Sequence, residues 1–307
     1  MKTKRDFLRI GDLSVDELRG VLALARVLKD EAKGTRTGVL AGRAVAIVLE
    51  KPSTRTRVSF EVGAAQLGAH PVVLTTDGSQ LARGEPIKDT ARVLSGYSDL
   101  IVYRTFGDVR LAEMAKFASV PVINALSDEG HPIQVLCDVF TIEEATRESI
   151  SGKRVAFVGD CSSNMARSFV EAAGLFGFHL ALAAPEGYMP PPAETGPVQS
   201  KGLVSFHPNG RSAAAGAIAV NTDVWTSMGQ EAEQSIRKRR FATYQVNPRL
   251  MDLASPDAVF MHCLPAHRGE EISEDMLDDP RAVVWDEAEN RLHAQKALME
   301  FLLAESC

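Results

Sequence analysis

Around its first turn, Lys51-Pro52-Ser53-Thr54-Arg55-Thr56-Arg57-Val58-Ser59-Phe60-Glu61 brings three hydroxyls, from Ser53, Thr54 and Thr56, together with the guanidiniums of Arg55 and Arg57. The stretch follows the apolar run Ala44 to Leu49 and precedes a helical pattern through Leu67, so it reads as a strand, a turn and a helix. A helix N-terminus leaves about four backbone N–H groups without intrahelical partners and carries partial positive charge. Hydroxyls and guanidiniums added there make an oxyanion cradle, and the expected ligand is a phosphate. A plain helix cap needs only one hydroxyl, and in that reading Ser53 or Thr54 caps while the arginines are solvated. The chain has no Gly-x-x-x-x-Gly-Lys-Ser/Thr string, so side chains would replace the glycine loop as phosphate ligands.

Further candidates follow apolar runs. Arg104-Thr105 follows Leu100 to Tyr103, where an arginine either reaches a crevice or lies on the surface. His131-Pro132-Ile133-Gln134 opens a long helical pattern, and the helix dipole there disfavours an imidazolium. A neutral His131 would donate well to a carbonyl oxygen, though a histidine at that place also serves as a plain cap. Gln80 lies in the polar loop Gly78 to Glu85, of a kind that is usually surface. Asn221 to Gly229 and His262-Cys263-Leu264-Pro265-Ala266-His267 close two later strands. His262, Cys263 and His267 are all metal-ligand types, but neighbours on a strand point to opposite faces. Gly159-Asp160-Cys161 follows a strand without the Gly-x-Gly-x-x-Gly dinucleotide fingerprint. No metal, nicotinamide or other cofactor is expected.

The elements that would position these residues alternate. Apolar runs at Ala44–Leu49, Pro71–Thr75, Leu100–Tyr103 and Val120–Asn124 are interleaved with helical stretches near 57–67, 88–97 and 109–117. A second series has strands at Lys153–Gly159, His179–Ala184, Ala217–Val220, Ala258–His262 and Ala282–Trp285. The prediction is an α/β fold with two doubly wound domains, each around a central parallel sheet, linked by crossing helices. The first domain spans 1–140 and is completed by a C-terminal helix over 287–307; the second spans 141–286. Ser14 to Glu17 forms a capping box ahead of an amphipathic helix, and Ile133 to Glu148 forms the crossing helix. Residues 185–215, broken by prolines and glycines, read as loop and short strand. Ligands of open parallel sheets sit beyond the carboxyl ends of the strands, and the polar candidates fall there, pointing to a crevice between the domains.

Composition narrows the classes. A chain of 307 residues, 45% hydrophobic, is long enough for two domains with sizeable cores. A net charge of -6 argues against a nucleic-acid surface, and the basic run Arg237–Arg240 reads as a solvated helix end. The start, Met1 to Phe7, leads into a polar amphipathic segment, so neither a signal peptide nor a membrane span is expected and a cytoplasmic protein is. Cys137, Cys161, Cys263 and Cys307 show no paired spacing and are expected as reduced thiols.

The string Pro52 to Glu61 resembles the carbamoyl-phosphate signature of the aspartate and ornithine carbamoyltransferase family. The strings around Asp223 and Cys263 resemble its ornithine branch, which carries His-Cys-Leu-Pro and Asp-x-x-x-Ser-Met-Gly where aspartate enzymes differ. The resemblance covers essentially the whole chain. It implies that Ser53, Thr54, Arg55 and Thr56 hold the phosphate, and that Thr56, Arg104 and His131 donate to the carbonyl oxygen. It further implies that Gln134 contacts the carbamoyl amine, and that Cys263, Leu264 and Arg291 add carbamoyl-phosphate contacts. Ornithine would be held by Asn164, Asp223, Ser227 and Met228, with Asp223 on the α-ammonium and Cys263 near the reacting amine. Gln80 would reach a neighbouring subunit's site, implying a homotrimer with shared sites. Catalytic roles thus fall to Arg104, His131, Cys263, Asp223 and Thr56, in a reaction giving citrulline and phosphate and serving either arginine biosynthesis or arginine breakdown.

Two departures stand out. Ser162-Ser163-Asn164 occupies the place of two adjacent asparagines, and 185–215 is short against the family pattern. The rival readings are transfer to a related amine (putrescine, lysine or N-acetylornithine) and a catalytically silent binder acting as a regulator.

Overall fold

The computed structural model describes residues 4–31, 38–76, 80–227, 229 and 231–305. They form two units, one of residues up to Leu136 together with Glu289 onward, the other Cys137–Ala288.

The first unit holds four parallel strands, β1 (Ala44–Leu49), β2 (His70–Thr75), β3 (Leu100–Arg104) and β4 (Val122–Leu126), in the order β2-β1-β3-β4. β1 and β3 read Ala-Val-Ala-Ile-Val-Leu and Leu-Ile-Val-Tyr-Arg, nearly uninterrupted apolar runs that suit strands covered on both faces. The connecting helices are α1 (Val15–Asp30), α2 (Thr54–Gln66), α3 (Ile87–Tyr97) and α4 (Asp108–Phe117). Ser14 caps α1 by accepting from the Glu17 N–H, and Glu17 returns the contact to the Ser14 N–H at 2.8 Å. Ala46, Val48, Ile101, Tyr103 and Val122 join Ile87, Ala91 and Met114 of α3 and α4 in one buried cluster. Strand order runs outward from β1 to β2 and then reverses to β3, so the switch point lies between β1 and β3. Crevices for ligands open at such reversals.

α5 (Pro132–Thr146) carries the chain into the second unit, and α11 (Val284–Glu305) carries it back. The second sheet orders β5 (Arg154–Val158), β6 (His179–Ala183), β7 (Val204–His207), β8 (Ala219–Thr222) and β9 (Val259–His262) as β7-β6-β5-β8-β9, again all parallel. Its switch point lies between β5 and β8. The helices of this unit are α6 (Asn164–Phe176), α7 (Pro192–Gln199), α8 (Gly210–Ala214), α9 (Gln234–Phe241) and α10 (Pro248–Met251). Val158, Val220 and Phe260 pack with Trp225, Phe241 and Ile272 in its core.

Several expected elements shift. The apolar residues Ala282–Trp285 form no strand: Ala282 makes a single bridge to Phe260, and α11 already starts at Val284, with Asp286 and Glu287 in its first turn where acids favour a helix. Residues 185–215 contain two short helices around β7, the first begun by Pro192, a residue whose fixed φ suits a helix start. Arg237, expected in solvent, is buried. Its Nη1 reaches Asp160 Oδ2 at 2.7 Å and the Trp225 carbonyl at 3.0 Å, residues that follow β5 and β8.

Candidate active site

In the first unit the predicted cradle stands at the switch point. Ser53 is the N-cap of α2, with Oγ accepting from the Thr56 N–H at 3.2 Å. Capping therefore occupies one hydroxyl; Thr54 remains exposed, Arg55 half-buried and Thr56 fully buried. Thr56 Oγ1 accepts from Arg291 Nη2 of α11 at 3.1 Å. Arg104, the last residue of β3, is buried, and its carbonyl accepts from the Glu50 N–H at 2.9 Å, which holds the ends of β1 and β3 level. His131, just ahead of α5, is 4% exposed. Burial pushes its imidazole well below the usual range, and the positive charges of Arg291 and Arg104 push it further. His131 is thus neutral beside two guanidiniums, and Gln134, one turn on, is fully buried.

That arrangement concentrates positive charge and hydrogen-bond donors on buried side chains of one unit, which suits an anion bearing a polarisable carbonyl. Gln80 is exposed in a short 3-10 turn, Gln80–Arg83, away from this group in sequence.

Sequence reasoning missed the residues beneath the cradle. Glu50 receives the Tyr103 hydroxyl, the Thr105 hydroxyl at 3.0 Å and a two-point contact from Arg110 at 2.7 and 3.0 Å. A buried carboxylate so fully hydrogen-bonded fixes the strand ends that carry Lys51 and Arg104. Lys51 itself reaches Asp128 at 2.5 Å over the Phe106 ring. Only the adjacency of Glu50 to the apolar run hinted at this.

In the second unit Asp223 follows β8 and Cys263 follows β9, two neighbouring strands. Cys263 Sγ donates to Asp223 Oδ1 at 3.4 Å, and the Val224 N–H donates to the same oxygen at 2.8 Å. Burial raises the Asp223 carboxyl above its ordinary value. Burial, and then the charges of Asp223, Glu287 and Asp138, push the Cys263 thiol well up. Cys263 is therefore an S–H donor and not a thiolate. Asn164 is the first residue of α6, capped by Ser163, and Ser227 lies in the segment after Asp223. Asn164 follows β5 and Asp223 follows β8, so they flank the second switch point. Met228 and Cys307 lie outside the described residues.

Gly159 follows β5 with φ +132, and a Cβ there would stand 3.1 Å from Thr222 Oγ1, which donates to the Val158 carbonyl at 2.5 Å. The close approach of these two strand ends demands glycine. Cys137, Cys161 and Cys263 are free thiols.

Two groups among the described residues bring metal-ligand atoms within 4.8 Å of one another: Asp223 with His262 and Cys263, and His267 with Glu270 and Glu271. The expectation that His262 and Cys263 point apart fails, because β9 ends at His262 and the chain turns there. His262 is nonetheless committed, with Nδ1 accepting from the Leu264 N–H at 2.9 Å and Nε2 on Glu271 at 3.2 Å.

The chain matches two family models. Residues 5–144 match the aspartate/ornithine carbamoyltransferase carbamoyl-P binding domain, and residues 151–302 match the Asp/Orn binding domain of the same family. It is 61% identical over 305 residues to an ornithine carbamoyltransferase of Sorangium cellulosum, with 98% of each chain covered. Among solved structures it resembles the ornithine carbamoyltransferase of Pyrococcus furiosus, at 44% identity, 98% coverage of each chain and a TM-score of 0.92. It also resembles a Campylobacter jejuni structure described as an anabolic ornithine carbamoyltransferase, at 37% identity, TM-score 0.90, covering 97% of this chain and 98% of that one.

Proposed function

The chain belongs to the aspartate/ornithine carbamoyltransferase family, and from that premise we propose how its own residues transfer the carbamoyl group of carbamoyl phosphate to the δ-amine of L-ornithine. Carbamoyl phosphate binds first, its phosphate on Ser53, Thr54, Arg55 and Thr56 and the N-terminus of α2. Its carbonyl oxygen faces Thr56, Arg104 and His131, and Gln134 takes the carbamoyl amine. Arg291, already joined to Thr56, adds a further cation. The observation that carries this reading is His131, buried and held neutral beside Arg104 and Arg291. A neutral imidazole donates to a carbonyl oxygen without adding a third charge that would need desolvation.

Attack by the δ-amine forms a C–N bond and places negative charge on the carbonyl oxygen. Preorganised donors aimed there each contribute about 2.7–4 kcal/mol to the barrier reduction. Collapse breaks the C–O bond to phosphate, giving citrulline, and the departing phosphate takes the amine proton. This accounts for the lack of a separate general base among the site residues. The ornithine amine, with a solution pKa of about 10.4 like lysine, loses its proton more readily once desolvated.

Ornithine binds through Asp223, whose carboxylate meets the α-ammonium, with Asn164 and the Ser227–Met228 segment at the carboxylate end. An α-ammonium repays Asp223 for its burial by the opposite charge. Cys263 orients Asp223 through its S–H contact, and Leu264 offers its backbone carbonyl to the carbamoyl group. Aspartate, with two carboxylates, finds no matching cation in this group.

The proposal extends to a homotrimer in which Gln80 serves a neighbouring subunit's site, consistent with its exposure on this chain. It places the enzyme in arginine biosynthesis, as the anabolic description of the Campylobacter relative suggests. A cytoplasmic setting accords with the free thiols; among the described residues no helix is long and apolar enough to cross a membrane.

The test is steady-state turnover with carbamoyl phosphate against ornithine, putrescine, lysine, N-acetylornithine and aspartate, with and without a chelator. Chelator-insensitive citrulline formation with ornithine alone is expected. Turnover with a different amine in place of ornithine would overturn the role of Asp223 while leaving the cradle intact.

A further inference from the structure

We propose that Glu271, acting through His262, is a positioning residue for the part of the site formed by Asp223 and Cys263. Both Glu271 and His262 are fully buried. His262 Nδ1 accepts from the Leu264 N–H at 2.9 Å, and an imidazole nitrogen that accepts a hydrogen bond carries no proton. The ring proton therefore sits on Nε2, which donates to Glu271 Oε1 at 3.2 Å. That same Oε1 accepts from the His267 N–H at 2.5 Å. One carboxylate oxygen thus holds the side chain of the first residue of the turn 262–267 and the backbone of its last.

The turn needs such a hold. Leu264 lies at φ +57, a left-handed conformation that a leucine keeps only when its surroundings impose it. The Leu264 N–H contact to His262 supplies part of that constraint, and it exists only in the tautomer that Glu271 selects. The backbone N–H of His262 is fixed separately, by Glu287 Oε2 at 2.9 Å. Between these anchors stands Cys263, whose Sγ reaches Asp223 at 3.4 Å. Without Glu271 the buried Nε2–H loses its acceptor, the alternative tautomer or a ring flip becomes the better state, and Leu264 loses its acceptor. Cys263 then drifts from Asp223. The other oxygen, Oε2, takes no hydrogen bond among the described residues and stands 3.7 Å from His267 Nδ1. The inference rests on the reading that Asp223 and Cys263 handle ornithine.

Glu271→Gln keeps Oε1 as an acceptor for both contacts and places an amide nitrogen at the unoccupied Oε2 position; Glu271→Ala removes everything. In Glu271→Ala, kcat/KM for ornithine should fall by about tenfold or more, with the dissociation constant of carbamoyl phosphate unchanged. Alkylation of the Cys263 peptide by iodoacetamide, followed by mass spectrometry, should accelerate in the same variant. Glu271→Gln should restore both readouts to within about threefold of the parent. If Glu271→Ala does not fold, His262→Asn, which keeps an acceptor for Leu264 but cannot reach Glu271, should show the same ornithine-selective loss. Parental ornithine kinetics in Glu271→Ala or His262→Asn overturn the inference, as does an equal loss of carbamoyl-phosphate affinity. Cys263→Ala separates the two layers: parental kinetics there overturn the underlying reading of the ornithine site, whereas an impaired Cys263→Ala beside a parental Glu271→Ala overturns the inference alone.

Discussion

Thr56 Oγ1 accepts a hydrogen bond from Arg291 Nη2 at 3.1 Å, joining the first turn of α2 to α11 across 235 residues of sequence. Both residues are buried, so the proposed phosphate cradle gains a side chain from a helix at the far end of the chain. Thr56→Val keeps the shape but removes the acceptor, and should lower both carbamoyl-phosphate affinity and kcat. Arg55→Ala should mainly weaken binding: loss of a charge-assisted contact worth about 1.5–3 kcal/mol corresponds to about ten- to a hundredfold in Kd. Calorimetric titration with carbamoyl phosphate checks both, and an unchanged Kd in Arg55→Ala would remove Arg55 from the cradle.

Asp223→Asn should leave carbamoyl-phosphate binding intact while raising the ornithine KM by about tenfold or more, since a charged partner for the α-ammonium is lost. Initial rates over an ornithine series decide it, and normal saturation would misplace Asp223.

The pH dependence of stability has a definite sign. The folded-state values of His131 and His293 lie below the ordinary 6.5, that of His293 at about 4, in both cases chiefly through burial. Between the folded and unfolded values the unfolded chain binds more protons, so stability rises with pH and is lost as pH falls below about 6.5. Each histidine adds a slope of up to about 1.4 kcal/mol per pH unit. Urea midpoints should drop progressively from neutral pH toward pH 4, and His293→Asn should flatten part of that fall.

Arg237→Met would strand the buried Asp160 carboxylate, at a cost of about 3–5 kcal/mol. It also releases the Trp225 carbonyl, two residues from Asp223, so the ornithine KM should rise. Denaturant unfolding of the single variant and of Asp160→Asn/Arg237→Met should show the double variant as the more stable.

Gly159→Ala forces a side chain into φ +132 and against Thr222 Oγ1 at 3.1 Å. A loss of about 1–3 kcal/mol is expected from the backbone strain, read as a lower denaturation midpoint. Parental stability would mean that the strand ends part without cost.

Much of this was legible in the residues. The apolar runs of β1, β3 and β5 and the hydroxyl-rich turn at Ser53 are local signals, because strand burial and helix capping depend on neighbours in sequence. Residues 282–285 misled for the same reason: a short apolar run is compatible with either a strand or a helix start, and packing decides between them. Glu271 in Glu270-Glu271 and Arg237 in a basic run are indistinguishable by sequence from solvated charges. Only their burial reveals that each holds a segment of the site.

The sequence by itself determined the alternating architecture and the capped, hydroxyl-rich turn at the start of α2, since each is written in short strings with local physics. Tertiary structure alone decided that burial and the charges of Arg291 and Arg104 act on His131, that Cys263 is a donor to Asp223, and that Glu271 selects the tautomer of His262. Those properties depend on desolvation and on side chains brought together from distant parts of the chain. No spacing along the sequence encodes that proximity.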